Sequence, residues 1–484
     1  MTGTTKSDTA TSGPATFGTA TSDPATSGTT RSDTATSDPA LDVTGGLDTG
    51  AARPTRPTPT TTPTPTGPPR RRLPLIANLT AAFFSLGGNA IALVAIPIIA
   101  LTQTGSPLAA GVVGVFATVP LVIGGAFGGV LVDRFGYRAS SIVADVASAL
   151  TVLAIPVLHA TVGLPFGALL ALVFLGGLLD PPGDTAKTSI TPDLAALART
   201  PIARAAGAQS AVQRTAMMVG AGAAGVLVAL LGPMPALVVD AGGFLISALL
   251  VLCFVPRRVA ASDSQHTDAH EQTDASGRGF VAGIRFVVTQ PLLRAIVVLV
   301  TLTNAIDAAG VMVLKPLYAT EVLGDPALLG FMVGCFAAGA LAGSALFGVV
   351  GHRFSGRVMF ATCFVLAGAP PYLAMAAGAP VPVLLPLLAA SGLAAGALNP
   401  MISTAMYGLI PNGMRARVFG ATTAGVAATM PLGAFLGGFA AEQLGLVPTL
   451  VACGLLYLAL GSSPLYLRSF SGLAAARGAA ASSV

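Results

Sequence analysis

From about residue 75 to residue 467, apolar stretches of twenty or more residues alternate with short polar breaks. Roughly twenty consecutive apolar residues let a helix cross a ~30 Å hydrocarbon core. Twelve runs meet that length, near 75–101, 108–132, 139–160, 164–186, 207–230, 235–255, 292–319, 327–350, 358–378, 383–407, 418–440 and 447–467. The pattern predicts an all-α polytopic membrane protein with twelve transmembrane helices. The longest break, near 256–291, holds the polar stretch SDSQHTDAHEQTDASGR and then GFVAGIRFVVTQ. The first part reads as a solvated linker, and the second as an amphipathic helix on the inner membrane face. His266 and His270 have an i,i+4 spacing, but their Ser/Thr-rich surroundings favour a linker over a metal site.

The residues before the first run have a different character. Thr-Ser-(Asp/Gly)-Pro-Ala units repeat there and lead into RPTRPTPTTTPTPTGPPRRR. Nothing in 1–72 can bury a core, so a disordered tail is expected. The tail has no signal-peptide pattern, which leaves the first run as the insertion signal. Basic residues then orient the runs. Arg70, Arg71 and Arg72 precede the first run, and Arg134, Arg138, Arg199, Arg204, Arg257, Arg258, Arg353, Arg357, Arg415, Arg417 and Arg468 all follow even-numbered ones. The opposite breaks carry acids such as Glu321, Asp325 and Glu442 and no Lys or Arg. Lysine and arginine mark cytoplasmic loops, so both termini are expected inside.

Composition agrees with the pattern. Hydrophobic residues make up 53% and charged residues 9% of the 484, against about 25% charged in soluble domains. The net charge of +5 is explained by topology and gives no nucleic-acid footprint. The four cysteines all lie in apolar runs and suit packing. No Walker loop, GxSxG, strand-linked GxGxxG or paired His/Cys ligand set occurs. An enzyme, an ATP-driven pump, a cofactor and a metal centre are therefore not expected.

An internal repeat divides the runs. GVLVDRFGYR at 129–138 returns as GVVGHRFSGR at 348–357, an offset of 219. The same offset carries Asp180-Pro181 onto Asn399-Pro400, and Pro192-Asp193 onto Pro411-Asn412. Two six-helix bundles, 73–256 and 291–470, are expected, joined by a linker at 257–290 and followed by a tail at 471–484. Repeats of this kind build a central site with alternating exits.

The runs, the repeat and the motif together resemble the major facilitator superfamily. Its Gly-x-x-x-Asp-Arg-x-Gly-x-Arg signature is matched by Gly129, Asp133, Arg134, Gly136 and Arg138. Segments such as LLDPPGDTAKTSITPDL and VVDAGGFLISALL are similar to the branch of macrolide and siderophore (enterobactin-type) exporters. The resemblance implies a gate, with Asp133 facing the start of the eleventh helix near Val418, where a positive dipole end favours an anion. It also implies that Arg138 reaches Asp180 or Asp184, with Asp145 close enough to join. His352 replaces the aspartate in the second copy, and Gly220-Ala221 stands where proton-driven exporters commonly carry Gly-Pro.

Charges inside spans are functional candidates. Asp307 lies about 20 Å up its run from Arg294 at ~1.5 Å per residue, near the midplane. There it is a candidate proton or cation carrier, with Asn304, Thr301 and Thr303 close by. Arg214 sits at a depth suited to pairing with Asp184 or Asp145. Asn78 and Asn89 are polar candidates for a cavity wall, and Asp240 is expected to serve folding. The expected function is proton-coupled export of small amphipathic molecules by a monomer in the cell membrane, through alternating access. The expected partners are a small-molecule substrate, protons and the lipid bilayer. The alternatives are an uptake or metabolite carrier, and a transport-dead receptor or scaffold.

Overall fold

The computed structural model describes residues 71–256, 276–350, 356–411 and 414–472. The tails, His266, His270 and His352 lie outside the described residues, as do the side chains of Gly129 and Asp133. Every regular element among the described residues is helical. The first seven are α1 (Leu73–Thr104), α2 (Pro107–Phe135), α3 (Tyr137–Thr161), α4 (Phe166–Ser189), α5 (Thr191–Leu197), α6 (Ile202–Leu231) and α7 (Pro233–Phe254). After the linker come α8 (Ser276–Thr289), α9 (Pro291–Val322), α10 (Leu328–Val350) and α11 (Arg357–Ala376). The chain then forms α12 (Val381–Leu409), α13 (Arg415–Leu444) and α14 (Leu446–Tyr466), followed by a 3-10 turn at Arg468–Gly472. Among the described residues, eleven helices are long and apolar enough to cross a membrane; the described apolar part of α2, Pro107–Leu121, is shorter.

Two elements differ from the sequence expectation. The break after the fourth run forms α5, because TPDLAAL begins with Pro192 and Asp193 in its first turn, where a fixed φ and an acid both favour a helix start. The last third of α9 is not regular α-helix: π turns at Gly310–Leu314 and Tyr318–Val322 flank Lys315–Leu317. The amphipathic segment does form a helix, α8. It packs on α13, where a Cβ at Gly283 would lie 2.6 Å from the Arg417 carbonyl oxygen.

Large apolar side chains such as Val143, Leu150, Leu249 and Val358 point outward, while small residues fill many of the contacts between helices. This is the inverse of a soluble globule and suits a hydrocarbon surround. α2 and α3 pack on α4, α3 and α1 pack on α7, and α1 packs on α6. In the second half α10 and α11 pack on α12, α11 on α14, and α9 on α13. Glycines at equivalent positions set the closest approaches. A Cβ at Gly124 would lie 2.8 Å from the Leu178 oxygen, and one at Gly343, 219 residues on, would overlap the Leu393 oxygen. Gly177 and Gly396 form a second such pair, against the carbonyls of Ala117 and Ala340. The halves meet through α2 with α13 and α6 with α10. Gly111 faces the Ala434 oxygen in the first contact, and Gly330 faces Gly225 in the second.

These contacts leave no room for side chains. Gly343→Val should therefore lower the thermal unfolding midpoint in detergent, at a cost of roughly 1–3 kcal/mol. Gly167→Ala, where a Cβ meets open space, should leave the midpoint unchanged. A parental midpoint for Gly343→Val would mean that α10 and α12 are free to separate.

Candidate functional site

Polar groups in the first half gather on α4 and its neighbours. The Lys187 ammonium lies 2.7 Å from Asp145 Oδ1, and both side chains are 1% exposed. Ser247 Oγ on α7 donates to the other Asp145 oxygen at 2.7 Å. The ion pair thus joins α3 to α4, and the serine ties in α7. Asn78 on α1 donates to the Lys187 carbonyl at 2.9 Å. About two turns earlier on α4, Asp180 accepts from Asn89 Nδ2 at 2.8 Å. Pro181 and Pro182 follow it inside α4, and each removes a backbone donor from the helix. Asp180 and Asp184 are partly exposed, unlike Asp145.

In the second half the centre is Asp307, partly exposed on α9 just before the π turns. Tyr457 on α14 donates its hydroxyl to Asp307 Oδ2 at 3.3 Å. Tyr372 on α11 donates to the Ile306 carbonyl at 3.0 Å, and the two tyrosine rings lie 6.3 Å apart. Both rings sit over glycines, Tyr372 on Gly310 and Tyr457 on Gly368, where a Cβ would overlap them. Lys315 is 9% exposed, with its ammonium 5.4 Å from the Phe336 ring centroid. π turns are rare and frequent at functional sites, and here the first of them separates Asp307 from Lys315.

At its C-terminal end, α2 passes directly into α3 through Gly136. Its φ of 80° lies in a region that glycine enters without steric cost, and its N–H closes α2 on the Val132 carbonyl at 2.8 Å. Arg134 is exposed and lies over the Phe135 ring, 5.6 Å from its centroid. The arginine reading is corrected here. Arg138 donates to the Leu252 carbonyl at 2.5 Å in the last turn of α7, and not to Asp180 or Asp184. The repeat does the same, with Arg357 donating to the Leu465 carbonyl in the last turn of α14. Helix ends leave carbonyls unpaired and carry negative partial charge, so each arginine caps the sixth long helix of its half. At the opposite end of the pair α2–α13, Glu442 Oε2 accepts from Ser106 Oγ at 2.9 Å and from the Leu108 N–H at 3.3 Å. A carboxylate from α13 therefore sits on the N-terminus of α2.

Of the other expected residues, Asn304 is turned back onto the Val300 carbonyl of its own helix. Arg214 is half-buried and is in no ion pair among the described residues; Asp145, one of its expected partners, is taken by Lys187. Asp240 is fully buried against Gly88, with neither carboxylate oxygen hydrogen-bonded among the described residues. The sequence reading missed Lys187, Ser247, Tyr372, Tyr457 and the contact made by Glu442. The available signal for Lys187 was its place directly after the fourth apolar run.

A bundle of apolar helices with acids inside it and no metal cluster among the described residues is built as a multi-pass transporter of the cell membrane. The family model described as the Major Facilitator Superfamily matches residues 79–301 and 297–471, and the chain belongs to that superfamily of secondary transporters. It is 31% identical over 400 residues to the multidrug efflux pump Tap of Mycolicibacterium fortuitum, covering 82% of this chain and 96% of the relative. Tap of Mycobacterium tuberculosis (strain ATCC 25618 / H37Rv) is 29% identical over 387 residues, covering 79% and 91%. The fold is similar to the nucleoside transporter NupG, with a TM-score of 0.66, 13% identity and coverage of 82% and 99%. It is also similar to the inward open xylose transporter XylE from E. coli, with a TM-score of 0.60, 15% identity and coverage of 81% and 96%.

Breaking the ion pair on one side should be costly. Lys187→Met leaves the buried Asp145 with only Ser247, and should destabilise the protein by about 3–5 kcal/mol. Lys187→Met combined with Asp145→Leu should recover most of that loss. Unfolding midpoints of the single and double variants measure both effects; a single variant as stable as the parent would show that the pair does not hold α3 to α4.

Proposed function

We propose that this transporter is a proton-coupled exporter of small amphipathic molecules, including drugs, and that it works as a monomer by alternating access. Twelve spans with both ends inside form two six-helix halves, 73–256 and 291–470. The one-sided arginines, the helix pairings repeated 219 residues apart, and relatives named as multidrug efflux pumps support this reading.

One contrast among the acids carries the coupling. Asp145 is held by a lysine, and protonating it would break an ion pair. Asp180 and Asp307 accept instead from neutral donors, Asn89 and Tyr457, and both are partly exposed. A carboxyl with neutral partners can gain and lose a proton without leaving a lysine unpaired. Asp307 and Asp180, one in each half, are the proposed proton carriers.

The gate follows from the two ends of α2 and α13. At one end Glu442 rests on the N-terminus of α2; at the other, the proposed gate sets the motif's Asp133 against the N-terminus of α13, whose positive dipole end favours an anion. Simultaneous closure would leave the substrate no exit, so the two contacts should alternate.

In proteoliposomes with an imposed pH gradient, Asp307→Asn should bind and exchange an exported dye but lose accumulation against its gradient. Accumulation at the parent rate would make Asp307 a structural acid. The gate is tested separately, by labelling Ala110→Cys with a membrane-impermeant maleimide in a chain lacking its native cysteines. Ala110 is 1% exposed on α2. Glu442→Gln should raise its labelling about two- to five-fold, the effect of losing ~0.3–1 kcal/mol at a helix terminus. Asp133→Asn should lower it. Equal labelling in all three proteins would mean that these acids do not alternate.

A further inference from the structure

Helices adjacent in sequence usually pack together, yet α2 and α3 each lean on α4 and touch one another little. A groove of about 480 Å³ remains between them, floored by small residues such as Gly124, Ala144 and Ala147. Phe135 and Val143, 59% and 65% exposed, stand on its rim, so it opens on the hydrocarbon side. A groove of about 410 Å³ recurs between α10, α11 and α12, where Gly343, Cys363 and Leu366 stand 219 residues on from those three. The slot is thus a product of the repeated packing.

Its dimensions suit one leaflet. Lining residues run from Ile123 to Phe135 on α2 and from Ala139 to Ala147 on α3, about 12–18 Å at ~1.5 Å per residue. Half of a hydrocarbon core is about 15 Å. Among the described residues no ionisable side chain lines the groove, but a cation stands at its inner mouth: the exposed Arg134 guanidinium lies over the Phe135 ring. The inner surface of a cell membrane is negatively charged.

We propose that this first groove is a site for an anionic phospholipid of the inner leaflet, with one acyl chain in the slot and the phosphate on Arg134. A lipid seated there wedges α2 from α3 beside the motif loop, so inner-leaflet composition acts on the gate. The site does not depend on what is exported.

Native mass spectrometry of the full-length, delipidated protein tests this. Dioleoylphosphatidylglycerol is the probe, dioleoylphosphatidylcholine supplies the same chains without net charge, and inorganic phosphate supplies the head charge alone. Phosphatidylglycerol should bind more tightly than phosphatidylcholine, and phosphate should not displace it. Arg134→Gln should weaken phosphatidylglycerol about five-fold, the effect of about one arginine near the surface, and leave phosphatidylcholine unchanged. Ala147→Phe, which fills the slot, should remove one bound copy of either lipid; Ala144→Leu serves if that variant unfolds at a lower temperature than the parent. Equal binding of the two lipids, displacement by phosphate, or no effect of filling the slot would each overturn the proposal.

Discussion

A carboxyl group inside a bilayer can be satisfied only by the protein around it, because no water is there to take its place. Much of this structure follows from the way Asp145, Asp180 and Asp307 meet that constraint. Asp145 uses a lysine and a serine, and so welds three helices together. Asp180 and Asp307 use an amide and a phenol, weaker partners that leave the proton count of the acid free to change. In the proposed mechanism the identity of the partner separates scaffold from proton carrier within one bundle.

The second organising feature is repetition at a fixed offset. Gly124 and Gly343, Gly177 and Gly396, and Gly111 and Gly330 make equivalent close approaches, and Arg138 and Arg357 cap equivalent helix ends. The halves differ where the acids lie. At the contact between the first and sixth long helices of the N-terminal half, Asp240 of α7 fills the space over Gly88. In the second half position 307, equivalent to 88, carries the acid itself, and α14 supplies Tyr457. A common frame thus carries two different polar centres.

Much of the frame was legible in the sequence because hydrocarbon imposes a single length scale on every spanning helix and arginine marks one side of it. The polar centre was legible only by depth. Asp307 declared itself by its distance from Arg294, but Tyr457 and Tyr372 lie in runs whose periodicity does not say which side chains face each other. Lys187 was hidden by its position after the apparent end of a run; α4 continues to Ser189 and carries it into the interior. Arg138 was assigned to acids by the family resemblance, whereas the carbonyl it meets ends α7. Backbone acceptors at helix ends leave no mark on residue types, and partners of that kind escape pattern reading.

The fit of Asp240 over Gly88 has an evolutionary consequence. A methyl group at position 88 would overlap the carboxylate, so a larger residue can enter there only if the buried aspartate shifts. Loss of Asp240 to a smaller residue would open a void at the α1–α7 contact, and position 88 would then be free to grow. Exchange at the two sites therefore has a favoured order, the acid first and the glycine second. Lineages descending from this chain should be found with both residues, with neither, or with the glycine alone, and seldom with the acid beside a larger neighbour.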